Sequence, residues 1–282
     1  MARVTPRQGV SQAPAGALET WLPQVGTDRY YAQLYLPPGP RQAQALIEAL
    51  RGEIARIPAS CSSPTVALPK LAWWREELAH LQRGSPRHAI TRALGNQMPA
   101  LPGAALALVS GVESLLGGYA HASRADRRAA LLGAHGPLWA CALAASLPAG
   151  EPVSPQVLQC AALVEEAYAL RDARPLLEGG FSLVAQDSVA TSVAQHGVLP
   201  VLPGAWHAAV LGVDIECTLV DLRQHLAQLA DRRALRPLAT LARLAIATLE
   251  EVRAGGCRVW ETRVELTPLR KLWLAWRERA GL

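Results

Sequence analysis

Phenylalanine occurs once in this 282-residue chain, at Phe181, and runs of β-branched residues are few. A chain this poor in strand formers is not expected to build a sheet. Charged residues make up 18% and hydrophobic residues 50%, which excludes a disordered chain. No apolar run reaches the roughly 20 residues needed to cross a bilayer, and residues 1–20 lack the apolar core of a signal peptide. The five cysteines (Cys61, Cys141, Cys160, Cys217 and Cys257) contain no C-x-x-C pair. That spacing argues against a structural zinc site and a disulfide framework, and it fits a reducing, cytoplasmic location. The seven histidines show neither H-x-x-x-H nor H-E-x-x-H spacing, so a zinc centre is not expected. No basic patch is interleaved with aromatics, which speaks against nucleic acid as a partner.

Alanine and leucine dominate instead, and both favour helix. The net charge is +5 and the pI about 9.2, with the densest cation clusters at Arg124–Arg128 and Asp231–Arg233. Such a balance suits a solvated surface, a diphosphate, or peripheral contact with an anionic membrane such as the inner membrane. The first two dozen residues, 1–24, read as a flexible tail rich in Ala, Gly, Pro and Gln. Residues 25–282 read as a single domain with no repeat and no composition break.

Helical signals then follow one another at short intervals. Residues 28–35 form a short amphipathic segment stopped by Pro37-Pro38, and 40–57 a longer helix ended by Pro58. Pro69 is placed to open a helix to Leu81, since proline is tolerated in a first turn. In it Leu71, Trp74, Leu78 and Leu81 share a face, while the adjacent Trp73 lies about 100° away. So wide an apolar arc marks this helix as the central one. Either tryptophan could face an internal cavity. Further helices are expected at 86–94, 100–120, from Ser123 to about Leu147, from Ser154 to about Arg174, up to Gly197, at 203–229, 233–253 and 269–279. Ser123 with Asp126 has capping-box spacing. The glycines of 100–120 cost helix stability, so they are expected to permit close packing or line a cavity. About ten helices joined by short links give an all-α fold.

Three strings near the start, Asp28-Arg-Tyr-Tyr31, Glu53-Ile-Ala-Arg-Ile57 and Leu71-Ala-Trp-Trp-Arg-Glu76, resemble the first third of the squalene/phytoene synthase family. Arg171-Asp172 followed by 180–187 keeps the spacing of that family's second acidic motif, R-D-x-x-E-D-x-x-x-G-R-x-Y-L-P-x-D. The tail 266–277 is also similar to bacterial members. The resemblance implies an isoprenoid-synthase-like helical bundle around a central apolar cavity. It also implies head-to-head joining of two prenyl diphosphates after magnesium-assisted ionisation, as in isoprenoid biosynthesis. Magnesium needs hard oxygen ligands, and two acidic motifs on facing helices supply them in active members.

The chain departs from that pattern at the metal ligands. Where the first motif should fall, residues 55–59 read Ala-Arg-Ile-Pro-Ala. In the second, Asp172 remains, but the acidic pair is Pro175 and Leu176, the arginine is Phe181, and Tyr-Leu-Pro is Leu183, Val184 and Ala185. Arg29-Tyr30 stands where active members carry a phosphate-binding Ser-Phe. These departures resemble the degenerate branch that contains mitochondrial complex I assembly factors and their bacterial relatives. The resemblance implies a non-catalytic protein that binds an isoprenoid, another lipid or a protein partner, with no catalytic residue, metal ligand or cofactor. Arg171, Asp172, Tyr30 and Trp74 are its expected substrate-binding residues. Two alternatives stay open: an active prenyltransferase with a rearranged magnesium site, and a ligand-free interaction scaffold. Glu165 with Asp172, and Asp214 with Asp221, lie seven apart, a rise of about 10.5 Å, too far to share one ion. Cys160, mid-helix, reads as a buried structural thiol.

Overall fold

The computed structural model of the chain describes residues 21–61, 63–95, 98–118, 121–148, 151–179, 184–197 and 203–281. Among them are thirteen helices and no strand. In chain order they are α1 (Asp28–Gln33), α2 (Pro38–Ala55), α3 (Ile57–Ser60), α4 (Pro64–Gln82), α5 (Ala89–Leu94), α6 (Leu101–Leu116) and α7 (Arg124–Ala144). There follow α8 (Pro155–Arg171), α9 (Ala173–Glu178), α10 (Gln186–His196), α11 (Pro203–Gln228), α12 (Arg236–Ala254) and α13 (Pro268–Ala280). The all-α expectation holds. The number of helices exceeds the expected ten because short turns after α2 and α8 form helices of their own.

Local chemistry sets many of the boundaries. Ser123 accepts from the Asp126 amide and Asp126 accepts from the Ser123 amide, a complete capping box. Ser154 and Thr267 cap α8 and α13 by accepting from the amides of Val157 and Arg270, with a proline just inside each start. Two readings need correction. The Trp-Trp helix opens at Pro64, so Pro69 lies inside it; one proline removes a single backbone bond and does not stop a helix covered on one side. Pro58, expected to end the second helix, sits in the first turn of α3.

The centre of the bundle is also not the Trp-Trp helix. It is α8, which packs against α7, α11 and α12 and buries ten of its seventeen residues, Glu165 and Glu166 among them. Helix α4 packs on α3, α5 and α6 at one flank, leaving Trp73, Val66 and Leu68 exposed while Leu71, Trp74, Leu78 and Leu81 are buried. A wide apolar arc here reflects an outer helix with uncovered apolar side chains. One core joins α7, α8, α11 and α12; a second joins α2, α4 and α6; a third, small one joins α1, α12 and α13. Residues 1–20 of the expected tail lie outside the described residues. Trp21 and Leu22, also within it, are half-buried against the second core.

Gly111 explains how closely α6 and α7 approach. A methyl group built there would come within 2.5 Å of the Ala134 Cβ. Both residues also line the cavity described next, so this glycine serves both roles expected of the 100–120 stretch.

Candidate functional site

A cavity of about 1020 Å³ opens between α2, α6, α7 and α8, with α9 and the 259–263 segment at its rim. Its walls are apolar and built largely from small side chains, including Gly52, Ala55, Ala107, Gly111, Ala130 and Ala134. Bulkier residues at these positions would fill the space, so the volume follows from the alanine- and glycine-rich faces of α2, α6 and α7.

Polar groups enter the cavity in three clusters, and each is centred on a carboxylate. Glu165 is 5% exposed and accepts both terminal bonds from Arg29 Nη2, at 2.8 and 2.9 Å. It also accepts from Arg51 Nη1 at 3.3 Å and from the Trp139 indole at 2.9 Å. Glu48 ties the same two arginines from the other side, at 3.2 and 2.8 Å. Burial works to raise the Glu165 pKa, but Arg29, Arg51 and His135 outweigh it and hold the carboxyl well below its usual range. His135, with Nδ1 3.9 Å from Glu165, is pushed down to about 4 by burial, which the Glu165 charge only partly offsets.

Glu166, on the neighbouring position of α8, is held by Arg127 at 2.7 and 2.9 Å and by Arg128 at 2.7 Å. Arg127 is buried and continues to Asp214 at 2.8 Å; Asp214 also accepts from the Ser188 hydroxyl at 2.5 Å. Arg128 reaches Asp221 at 2.5 Å. The cation cluster at 124–128 is therefore not a solvated surface: two of its arginines bridge three helices.

The third cluster forms the mouth. Asp172, just past the end of α8, accepts from Arg171 Nε at 3.0 Å and Nη2 at 2.5 Å, and from Arg263 Nε at 2.8 Å. Burial raises its pKa, but these guanidinium groups hold it below normal. Arg171 also pairs with Asp28 at 3.3 Å, and Asp28 with Lys271 at 2.8 Å. The two segments expected to carry acidic motifs do face each other here. Ala55, Arg56 and Ala59 lie on one side, Asp172, Arg174, Pro175 and Leu176 on the other, and α3 touches α9. Arg56 pairs with Glu53 at 2.6 Å and Arg174 with Glu178 at 2.8 Å.

Of the sequence-derived substrate-binding residues, Arg171 and Asp172 line the cavity and meet at its mouth. Tyr30 does not line it; its ring packs edge-on to Tyr31, 5.5 Å between centroids, beside the small third core. Trp74 does not line it either, being buried in the second core with Trp73 and His88 against its ring. Neither tryptophan of the pair reaches the cavity. Arg51 and His135 were not singled out in the sequence; Arg29 was noted only beside Tyr30 and Arg127 only within the 124–128 cluster, neither with a partner. Phe181 and Leu183 lie outside the described residues. Cys160 is buried, and burial pushes its thiol up to about 12, in keeping with a structural role.

Comparison with known proteins bears on this arrangement. Residues 22–128 match the family model described as "Squalene/phytoene synthase". Over that stretch, a little more than a third of its length, the chain is similar to this family. Two solved structures share the fold. One is a dehydrosqualene synthase in complex with ligand, 14% identical, with a TM-score of 0.69 over 90% of this chain and 91% of that one. The other is squalene synthase HpnC from Alicyclobacillus acidocaldarius, 14% identical, with a TM-score of 0.59 over 81% and 89%. No curated protein matches. Among the described residues, no group of three or more His, Cys, Asp or Glu side chains is placed to hold a metal ion.

Proposed function

We propose that the protein holds an isoprenoid or similar lipid chain in its cavity and does not carry out magnesium-dependent head-to-head condensation. One observation carries this reading. Across the mouth, at 55–59 and 172–176, Asp172 is the single carboxylate, and both its oxygens already accept from guanidinium groups. Magnesium needs near-octahedral oxygen coordination, usually from one or two free carboxylates with phosphate and water. A rim crowded with arginines does not suit it, so no step is assigned to a metal here. The cavity suits an apolar chain: its volume lies at the upper end of the ~300–1,000 Å³ typical of ligand pockets, and its surface is largely apolar between the polar clusters. That size argues against a ligand-free scaffold. A protein partner docking on the outside is compatible with an occupied cavity.

The test is native mass spectrometry of the purified chain, followed by organic extraction. A stoichiometric apolar molecule released on denaturation supports the reading. An empty protein that also fails to take up added prenyl alcohols contradicts it.

A second reading, a prenyltransferase with a rearranged metal site, rests on Glu165, Glu166 and Asp172 all lining one cavity. It requires those carboxylates to exchange their arginine partners for ions, at the desolvation cost of leaving buried cations unpaired.

A further inference from the structure

Helix α13 has two apolar faces, and only one is covered. Leu274 and Ala275 are buried on the side that packs against α1 and α12. Leu269, Leu272, Trp273 and Trp276 recur at steps of three and four on the other side, and are 79%, 39%, 51% and 46% exposed. Val25, 77% exposed, is brought toward the same helix because Lys271 Nζ donates to the Gly26 carbonyl at 2.9 Å. None of these residues lines the central cavity or the groove around Cys217. The helix carries Arg270, Lys271, Arg277 and Arg279 against a single carboxylate, Glu278, which is buried and taken by Arg243. Arg277 lies over the Trp273 ring and Arg279 over the Tyr35 ring. Arg270 pairs with Glu251 on α12.

We propose that this stripe docks the protein on an anionic membrane surface. Exposed tryptophans and leucines with arginines beside them are what an interfacial helix places at the headgroup boundary. A second copy of the chain fits less well. Two-fold pairing of the stripe would set like cations against each other, and five side chains fall far short of the roughly 20–30 residues a side of a stable interface. Among the described residues no helix is long and apolar enough to cross a membrane, so the contact is a peripheral one. The chain Lys271–Asp28–Arg171–Asp172–Arg263 ties α13 to the cavity mouth. The docking proposal stands whether or not the cavity holds a ligand.

The test is flotation of the full chain with vesicles of phosphatidylcholine and phosphatidylglycerol, and with phosphatidylcholine alone, at low and high salt. Expected is binding to the anionic vesicles that weakens with salt and shifts tryptophan emission to the blue. Trp273→Glu/Trp276→Glu should lower partitioning by about tenfold or more with circular dichroism unchanged. Leu269→Glu, at the most exposed position, should lower it as well and guards against a folding defect in the double variant. Absence of wild-type binding overturns the proposal, as does binding undiminished in both variants. Self-association of the wild type that the variants abolish, without vesicle binding, assigns the stripe to a second copy and also overturns it.

Discussion

Removing the Glu165 carboxylate separates a structural ion cluster from a metal site held in reserve. In Glu165→Ala, Arg29 and Arg51 lose three hydrogen bonds between them, and the Trp139 indole is left without its acceptor. Glu48 then faces two cations alone, at 3.2 and 2.8 Å, so one positive charge is uncompensated inside the bundle. Breaking a buried pair by deleting one partner costs about 3–5 kcal/mol. Arg29 and Arg51 keep 14% and 15% exposure and Glu48 remains, so the expected loss is at the lower end, about 3 kcal/mol. Glu165→Gln keeps an acceptor for the indole and removes only the charge, for an expected loss of about 2 kcal/mol. Urea unfolding followed by circular dichroism reads both as a lower midpoint at unchanged slope. Carboxylates gathered for a metal repel one another, and deleting one stabilises the metal-free protein. A stabilised Glu165→Ala, or one within about 1 kcal/mol of wild type, refutes the assignment of Glu165 to a structural cluster.

Two further perturbations have signs fixed by the structure. His135 is faced by Glu165, Glu48, Arg29 and Arg51, and its folded pKa of about 4 lies below its ordinary 6.5. The unfolded chain therefore binds the extra proton between these values, so the contribution of a neutral His135 is full above pH 6.5 and is lost as pH falls toward 4. The difference in stability between wild type and His135→Gln should change by about 3 kcal/mol across that window; His88 and His121, also shifted down by burial, are common to both proteins and cancel. A flat difference between pH 7 and pH 4 contradicts the burial of a neutral imidazole. Gly111→Ala should destabilise by about 1–3 kcal/mol because its methyl would meet Ala134, whereas Gly103→Ala, with open space around it, should be neutral or gain up to about 1 kcal/mol. Equal melting temperatures for the two variants count against the close α6–α7 approach.

What the sequence disclosed was local. The cap at Ser123 and the helix start at Ser154 depend on residues within one turn, and each is found where the sequence placed it. Arg171 and Asp172 were legible as a pair because they are adjacent and sit in a spaced motif. The rest of the site depends on partners that only the fold brings together. Arg29 and Glu165 are 136 positions apart, and Arg127 and Asp214 are 87 apart, so no periodicity signals either pair. The centre of the bundle was misplaced for a related reason. Two tryptophans outweighed the quieter face of α8, whose Glu165 and Glu166 read as a polar stripe until arginines from α1, α2 and α7 are seen to cover them.

The most direct measurement is pyrophosphate release by the purified chain from farnesyl or geranylgeranyl diphosphate, with magnesium and NADPH, compared with an Asp172→Asn variant. With Asp172 bound by Arg171 and Arg263 and no other carboxylate at 55–59 or 172–176, release should not exceed the no-protein background, and the two proteins should be indistinguishable. Magnesium-dependent release that yields a head-to-head product and disappears in Asp172→Asn would contradict the account.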